Sequence, residues 1–130
     1  MSQHIGALTL VVRDYDEAIQ FYRDRLGFTL LADTSLGTDK RWVLLAPPGS
    51  SETRLLLAKA TTPEQVARIG DQTGGRVFLF LHTDHFERDH ARLLTNGVRF
   101  LEPPRHEPYG TVAVFEDLYG NRWDLLELKR

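Results

Sequence analysis

Cysteine is missing from all 130 residues. Its absence excludes a thiol nucleophile, a thiolate metal site and a disulfide framework, and it fits a reducing compartment. Charge of one sign is missing too: 16 basic against 18 acidic residues leave a formal net charge of -2, with the signs interspersed. A nucleic-acid or anionic-membrane binder carries a basic stripe or patch, and none is present. No apolar run approaches a bilayer span. Met1-Ser2-Gln3-His4 lacks the charged and apolar regions of a signal peptide. These absences predict a cytoplasmic protein with neither nucleic acid nor membrane as partner. No segment is of low complexity and no linker is long, so residues 1–130 are expected to form a single domain. Hydrophobic residues at 42% and charged ones at 26% give an ordinary globular balance, enough for a core without metal or disulfide staples.

What is present is a duplication. Residues 5–12 alternate and are β-rich, a helical stretch follows Asp14, and Leu26-Gly27-Phe28 returns to a strand. The same order recurs from Val77 to Asp84, through a helical stretch, to Asn96-Gly97-Val98. Asp14 to Gly27 spans the same distance as Asp84 to Gly97, from an acidic N-cap to a closing glycine. Further strands are predicted at 41–46 and 53–58, around the turn Pro47-Pro48-Gly49-Ser50-Ser51. In the second copy they fall at 110–116 and 122–128, around Asp117-Leu118-Tyr119-Gly120-Asn121, and Glu102-Pro103-Pro104-Arg105 breaks the chain before them. Each module therefore reads β-α-β-β-β: module one over about 4–59, a joining segment 60–75 with a helix start at Thr62-Pro63-Glu64, and module two over about 76–130. A cleft is expected where two such half-domains meet.

Two signatures carry a resemblance. They are Asp14-x-x-x-Ala18-x-x-Phe21-Tyr22-x-x-x-Leu26-Gly27-Phe28 and Phe115-Glu116-Asp117-x-x-Gly120-Asn121-x-Trp123-Asp124-Leu125. With the module order, they resemble the vicinal oxygen chelate superfamily, which includes glyoxalase I, extradiol dioxygenases and bleomycin-resistance proteins. The resemblance implies an α+β fold in which two βαβββ modules form a curled, cup-shaped mixed sheet, and a homodimer. In metal-dependent members, first and last strands send His and Glu side chains to a divalent ion that chelates adjacent substrate oxygens. The corresponding positions here are Ala7, Phe78, Leu56 and Asp124. Only Asp124 can ligate, and such sites need at least three donors from the protein. The resemblance therefore implies no metal, with a displaced divalent ion as the alternative.

Asp124 shares a strand face with Leu126 and Leu128. It reads either as a ligand-binding or general-base carboxylate raised in pKa by apolar surroundings, or as a structural partner of an arginine. Arg54 sits near the matching place in module one, and reads as an anion clamp, as a partner of Asp124 or as a solvent-facing residue. Phe78, Phe80 and His82 share one face of the first strand of module two, as pocket wall or as core, with His82 also an acid-base candidate. Glu107 and Tyr109 offer a carboxylate and a phenol beside the penultimate strand, and Trp42 is a pocket aromatic or a core residue. Two functions follow. One is a metal-independent small-molecule-binding protein resembling the bleomycin-resistance proteins, with Trp42, Arg54, Phe78, Phe80, Tyr109 and Asp124 around an aromatic ligand. The other is a lyase, isomerase or dioxygenase using Asp124, Glu107 and His82.

Overall fold

The computed structural model describes all residues, Met1–Arg130. They divide into two compact units, Met1–Ile69 and Gly70–Arg130. The first contains β1 (Ala7–Val12), α1 (Tyr15–Gln20), β2 (Thr29–Ser35), β3 (Arg41–Ala46), β4 (Arg54–Lys59) and a short α2 (Pro63–Val66). The second contains β5 (Leu79–His82), α3 (Phe86–Thr95), β6 (Arg99–Phe100), β7 (Arg105–Glu107), β8 (Gly110–Glu116) and β9 (Arg122–Leu128). The fold is α+β with two mixed sheets. Strand order is β1-β4-β3-β2 in one and β5-β9-β8-β6 in the other, with β7 also paired to β8. In both, the first strand runs parallel to the last, and the remaining neighbours are antiparallel. The duplication thus extends to topology. The strand β7 lies where the sequence reading had only a chain break.

The two helices begin differently. The Asp14 carboxylate accepts from the Glu17 N–H at 2.9 Å and caps α1. Asp84 does not cap α3; its carboxylate pairs with Arg88 instead. The cap is His85, whose Nδ1 accepts from the Arg88 N–H at 3.2 Å. An imidazole nitrogen serves because capping needs only a local acceptor, not a charge. The cap of α1 therefore stands one residue further from its closing glycine than the cap of α3. The extra residue is absorbed where α1 continues into a π-helical turn over Phe21–Arg25, with Leu26 N–H reaching back to the Phe21 carbonyl. Gly27 and Gly97, at φ 79° and 82°, then reverse the chain in the left-handed conformation that costs glycine least.

Each sheet buries one face against its helix. In the first unit Leu10, Val12, Val43, Leu45, Leu55 and Leu57 are buried, as are Ala18, Ile19 and Tyr22 of the helix. In the second, Phe115 stacks on Trp123 at 5.9 Å, and Leu125, Phe86 and Leu93 are buried. Each of the large side chains contributes about 1.5–3 kcal/mol by leaving water. The β8–β9 turn is built around buried Asp117, which accepts from the Tyr119 and Asn121 backbone N–H groups and from Asn121 Nδ2, each at 2.9 Å. That network accounts for the Asp117-x-x-Gly120-Asn121 signature as a structural turn.

Candidate functional site

Alternation along the strands sends every second side chain to the face away from the helix. In the first unit that helix-free face carries Thr9 and Val11 of β1, Leu56 and Ala58 of β4, and Trp42 and Leu44 of β3. Thr9 pairs with Leu56, and Leu56 with Leu44, so their side chains form one continuous row. A groove of about 690 Å³ opens over this face, lined by Trp42, Leu56, Ala58, Val11, Leu36 and Gln65 among others. Trp42 is 43% exposed, so of its two readings core packing does not hold. Its neighbour is held firmly. Arg41 donates to Asp33 through Nε and Nη2 at 3.0 and 2.7 Å and to Asp16 at 2.9 Å, and it lies over the Tyr15 ring at 5.2 Å. Hydrogen bonding from Arg41 holds the Asp33 carboxyl below its usual range, more than offsetting its partial burial. This clamp anchors the start of β3 and so fixes where the indole projects. Arg54 opens β4 beside Ala7, and its Nε is sealed from solvent without an acceptor.

In the second unit the helix-free face is polar at its centre. Asp124 lies between Phe80 on β5 and Val114 on β8, and His82 lies beside Leu126. Phe80 is 58% exposed, so it is not a core residue, and His82 is exposed as well. Asp124 is only 9% exposed, and its Oδ1 is buried with no hydrogen-bond partner. It makes no ion pair, so the reading as an arginine's structural partner fails. Burial pushes its carboxyl up from the usual value; Arg105 pulls it back and Glu102 adds to the rise. Arg105 is already engaged, donating to Glu102 at 2.5 Å and to Glu107 at 3.1 Å, which raises its own pKa despite desolvation. Pairing of Arg105 with Val112 and of Glu107 with Gly110 carries β7 onto this sheet, so Glu107 is a strand residue rather than part of a rim loop. Tyr109 is half-exposed at the β7–β8 turn. Phe78 precedes β5, and its ring meets the buried Trp123 edge-on at 6.2 Å.

Structure thus gathers Phe80, His82, Glu107 and Asp124 onto one sheet face. Trp42 joins a groove whose apolar floor, Val11, Leu56 and Ala58, sequence reading had passed over. The signal was there in the alternation of β1 and β4. Glu102 and Arg105 were also missed, because a Pro-Pro break does not announce a strand. With His85 as the counterpart of Asp14, the strand pairings match Leu56 to Asp124 and Arg54 to Arg122. Arg54 is therefore not the module-one equivalent of Asp124.

The family's metal positions do not fit a metal. Ala7, Leu56 and Phe78 bring no donor atom, and no group of three His, Asp or Glu side chains converges anywhere in the chain. His85, His90 and His106 border a separate hollow of about 480 Å³ near the start of α3. Each is engaged elsewhere: His85 as a cap, His90 stacked on Phe86, and His106 beside Thr111 Oγ1.

Residues 4–125 match the Glyoxalase/Bleomycin resistance protein/Dioxygenase superfamily. The chain belongs to that superfamily. It is 58% identical over 129 residues to an uncharacterized protein of Shewanella frigidimarina (strain NCIMB 400), covering 98% of this chain and 96% of that one. Among solved structures it is similar to UcmS2, with 32% identity, TM-score 0.84 and coverage of 97% and 98% of the two chains. It is also similar to TnmS3, an antibiotic binding protein from Streptomyces sp. CB03234, with 32% identity, TM-score 0.78 and 98% of each chain covered. No helix of this superfamily member is long and apolar enough to cross a membrane.

Proposed function

We propose that the chain is a metal-independent small-molecule-binding protein that takes an aromatic ligand on a helix-free sheet face, as a cytoplasmic homodimer. The observation that carries this reading is the groove of about 690 Å³ with Trp42 standing exposed over an apolar floor. An aromatic ring exposed beside such a hollow is a ready stacking platform for a flat molecule. Similarity to an antibiotic binding protein over nearly the whole chain supports the same class of ligand. The missing donors at Ala7, Leu56 and Phe78 support binding without a metal.

Tryptophan fluorescence tests it. Trp123 is buried and Trp42 exposed, so quenching by polycyclic aromatic probes reports mainly on Trp42. Saturable quenching that disappears in Trp42→Phe, with the protein free of metal by elemental analysis, is the expected result. Absence of saturable quenching by every probe would refute the reading. A second reading, a lyase, isomerase or dioxygenase of the family type, has one observation in its favour. Asp124 is a buried carboxyl with a raised pKa and no partner, which suits an acid-base group. Turnover of a substrate with adjacent oxygens, lost in Asp124→Asn, would favour it over simple binding.

A further inference from the structure

Resting on the small-molecule reading above, we infer that Asp124 and Phe80 form a subsite for an aromatic ligand that donates a hydrogen bond, from O–H or N–H, to Asp124 Oδ1. Three observations lead there. Asp124 is nine-tenths buried, and Oδ1 has no donor within the protein. A buried acceptor without a partner is uncommon in folded proteins, because it forfeits its hydrogen bonds to water and gains none. The side chain points to the helix-free face, since its strand neighbours Trp123 and Leu125 pack the opposite one. Finally, Phe80 is paired directly with it on the edge strand β5, on the same sheet face, and is largely exposed.

Local donors do not fill the role. Arg105 is the cation nearest in influence, yet its guanidinium is spent on Glu102 and Glu107. Arg122 is exposed at the start of β9, and Arg99 is paired with Glu116. A ligand group that arrives with its own proton meets a vacant acceptor already desolvated. The gain is the bond itself, without a prior protein bond to break. A ligand carrying only acceptors would set lone pairs against the carboxylate and be disfavoured.

Four probes on one ring system separate the possibilities: 2-naphthol, (2-naphthyl)methylammonium, 2-methoxynaphthalene and 2-naphthoate. Affinity is measured by calorimetry, and the location of binding by shifts of the Phe80, Val114 and Asp124 backbone amides in NMR spectra. The donor-bearing naphthol or ammonium should bind about tenfold or more tighter than the methyl ether, and naphthoate most weakly. In Asp124→Leu the advantage should collapse, with methyl ether binding retained. Asp124→Asn keeps an oxygen acceptor without the charge. It should preserve the preference for naphthol if the natural donor is neutral, and lose that for the ammonium if the donor is a cation. Equal binding of ether, naphthol and ammonium, or an advantage that survives Asp124→Leu, overturns the subsite while the binding reading stands. Failure of all four to bind removes both.

Discussion

Replacing Asp124 by Asn should make the protein more stable at neutral pH, which is the reverse of what most substitutions of buried residues do. The two side chains have the same shape, so packing is unchanged and only the charge is removed. The carboxylate is nine-tenths buried, has no hydrogen bond at Oδ1 and makes no ion pair. Some compensation comes from the field of Arg105, but that guanidinium is held by Glu102 at 2.5 Å and Glu107 at 3.1 Å. An uncompensated buried polar group costs about 1–3 kcal/mol. Asn keeps part of that cost because its amide must also find partners, so the gain should be about 1–2 kcal/mol, or ~3–8 °C in Tm for a chain of this size. The pH dependence follows from linkage. The folded-state pKa of Asp124 lies above its ordinary 3.8 because of burial. Stability associated with this group is therefore complete below the unfolded value and is lost as pH rises through the folded one. The advantage of Asp124→Asn should grow as pH rises through the folded-state pKa and vanish below about pH 3.8. Paired thermal or urea denaturation of the two proteins across pH 3–7.5 reads it directly. A variant less stable than the parent at pH 7 would mean the carboxylate has a stabilising partner, and an advantage independent of pH would mean the buried charge is not its source; either would refute the reasoning about the subsite.

Four other substitutions test the framework around the sites. Gly70→Ala should destabilise by about 2–4 kcal/mol in urea unfolding, because its φ is 76° and a Cβ would stand 2.1 Å from the Tyr119 carbonyl oxygen. Asp117→Ala leaves the two backbone N–H groups and Asn121 Nδ2 without their acceptor and should cost about 2–3 kcal/mol, lowering Tm without removing either helix from the circular dichroism spectrum. His85→Ala should cost about 1 kcal/mol as the loss of a helix cap, while Asp84→Ala, which removes only an exposed pair with Arg88, should stay within about 0.5 kcal/mol. A reversed ranking of the last pair would restore the acidic cap that the sequence suggests.

Much of the architecture was legible because it rests on local, repeated chemistry. Strands β3, β8 and β9 occupy the stretches 41–46, 110–116 and 122–128 that alternation and turn residues marked out. Asp14 and the two closing glycines also act as read. The misreadings share a cause: spacing says where an element falls, but not which neighbour satisfies it. Asp84 looked like a cap because it matched Asp14 in position. Arg88 lies one helical turn further on and takes the carboxylate, leaving His85 to cap. The π turn after α1 then absorbs the residue by which the copies differ. Strand β7 was invisible because three residues after Pro103-Pro104 have no periodicity of their own, and only pairing with β8 makes them a strand.

Site residues were legible as positions and illegible as environments. Trp42 and Phe80 have the composition of core residues, and nothing local distinguishes a ring that meets a helix from one that faces the open side of a sheet. The decisive information is which face the helix covers, and that is set by α1 and α3 packing on Leu45, Leu57, Phe115 and Leu125. Once that face is known, the duplicated strands show how their chemistry diverged. Leu56 and Asp124 occupy matching places in their sheets, one flooring an apolar groove and the other leaving a desolvated carboxylate beside Phe80. A leucine at position 124 would remove the unpaired charge and continue the apolar pattern of the first module. An exposed phenylalanine and an unpaired buried carboxylate both work against stability and solubility, and such departures from local consistency are concentrated at functional sites. Their coincidence on one sheet face is what singles out the Asp124–Phe80 face of module two for the proposed subsite.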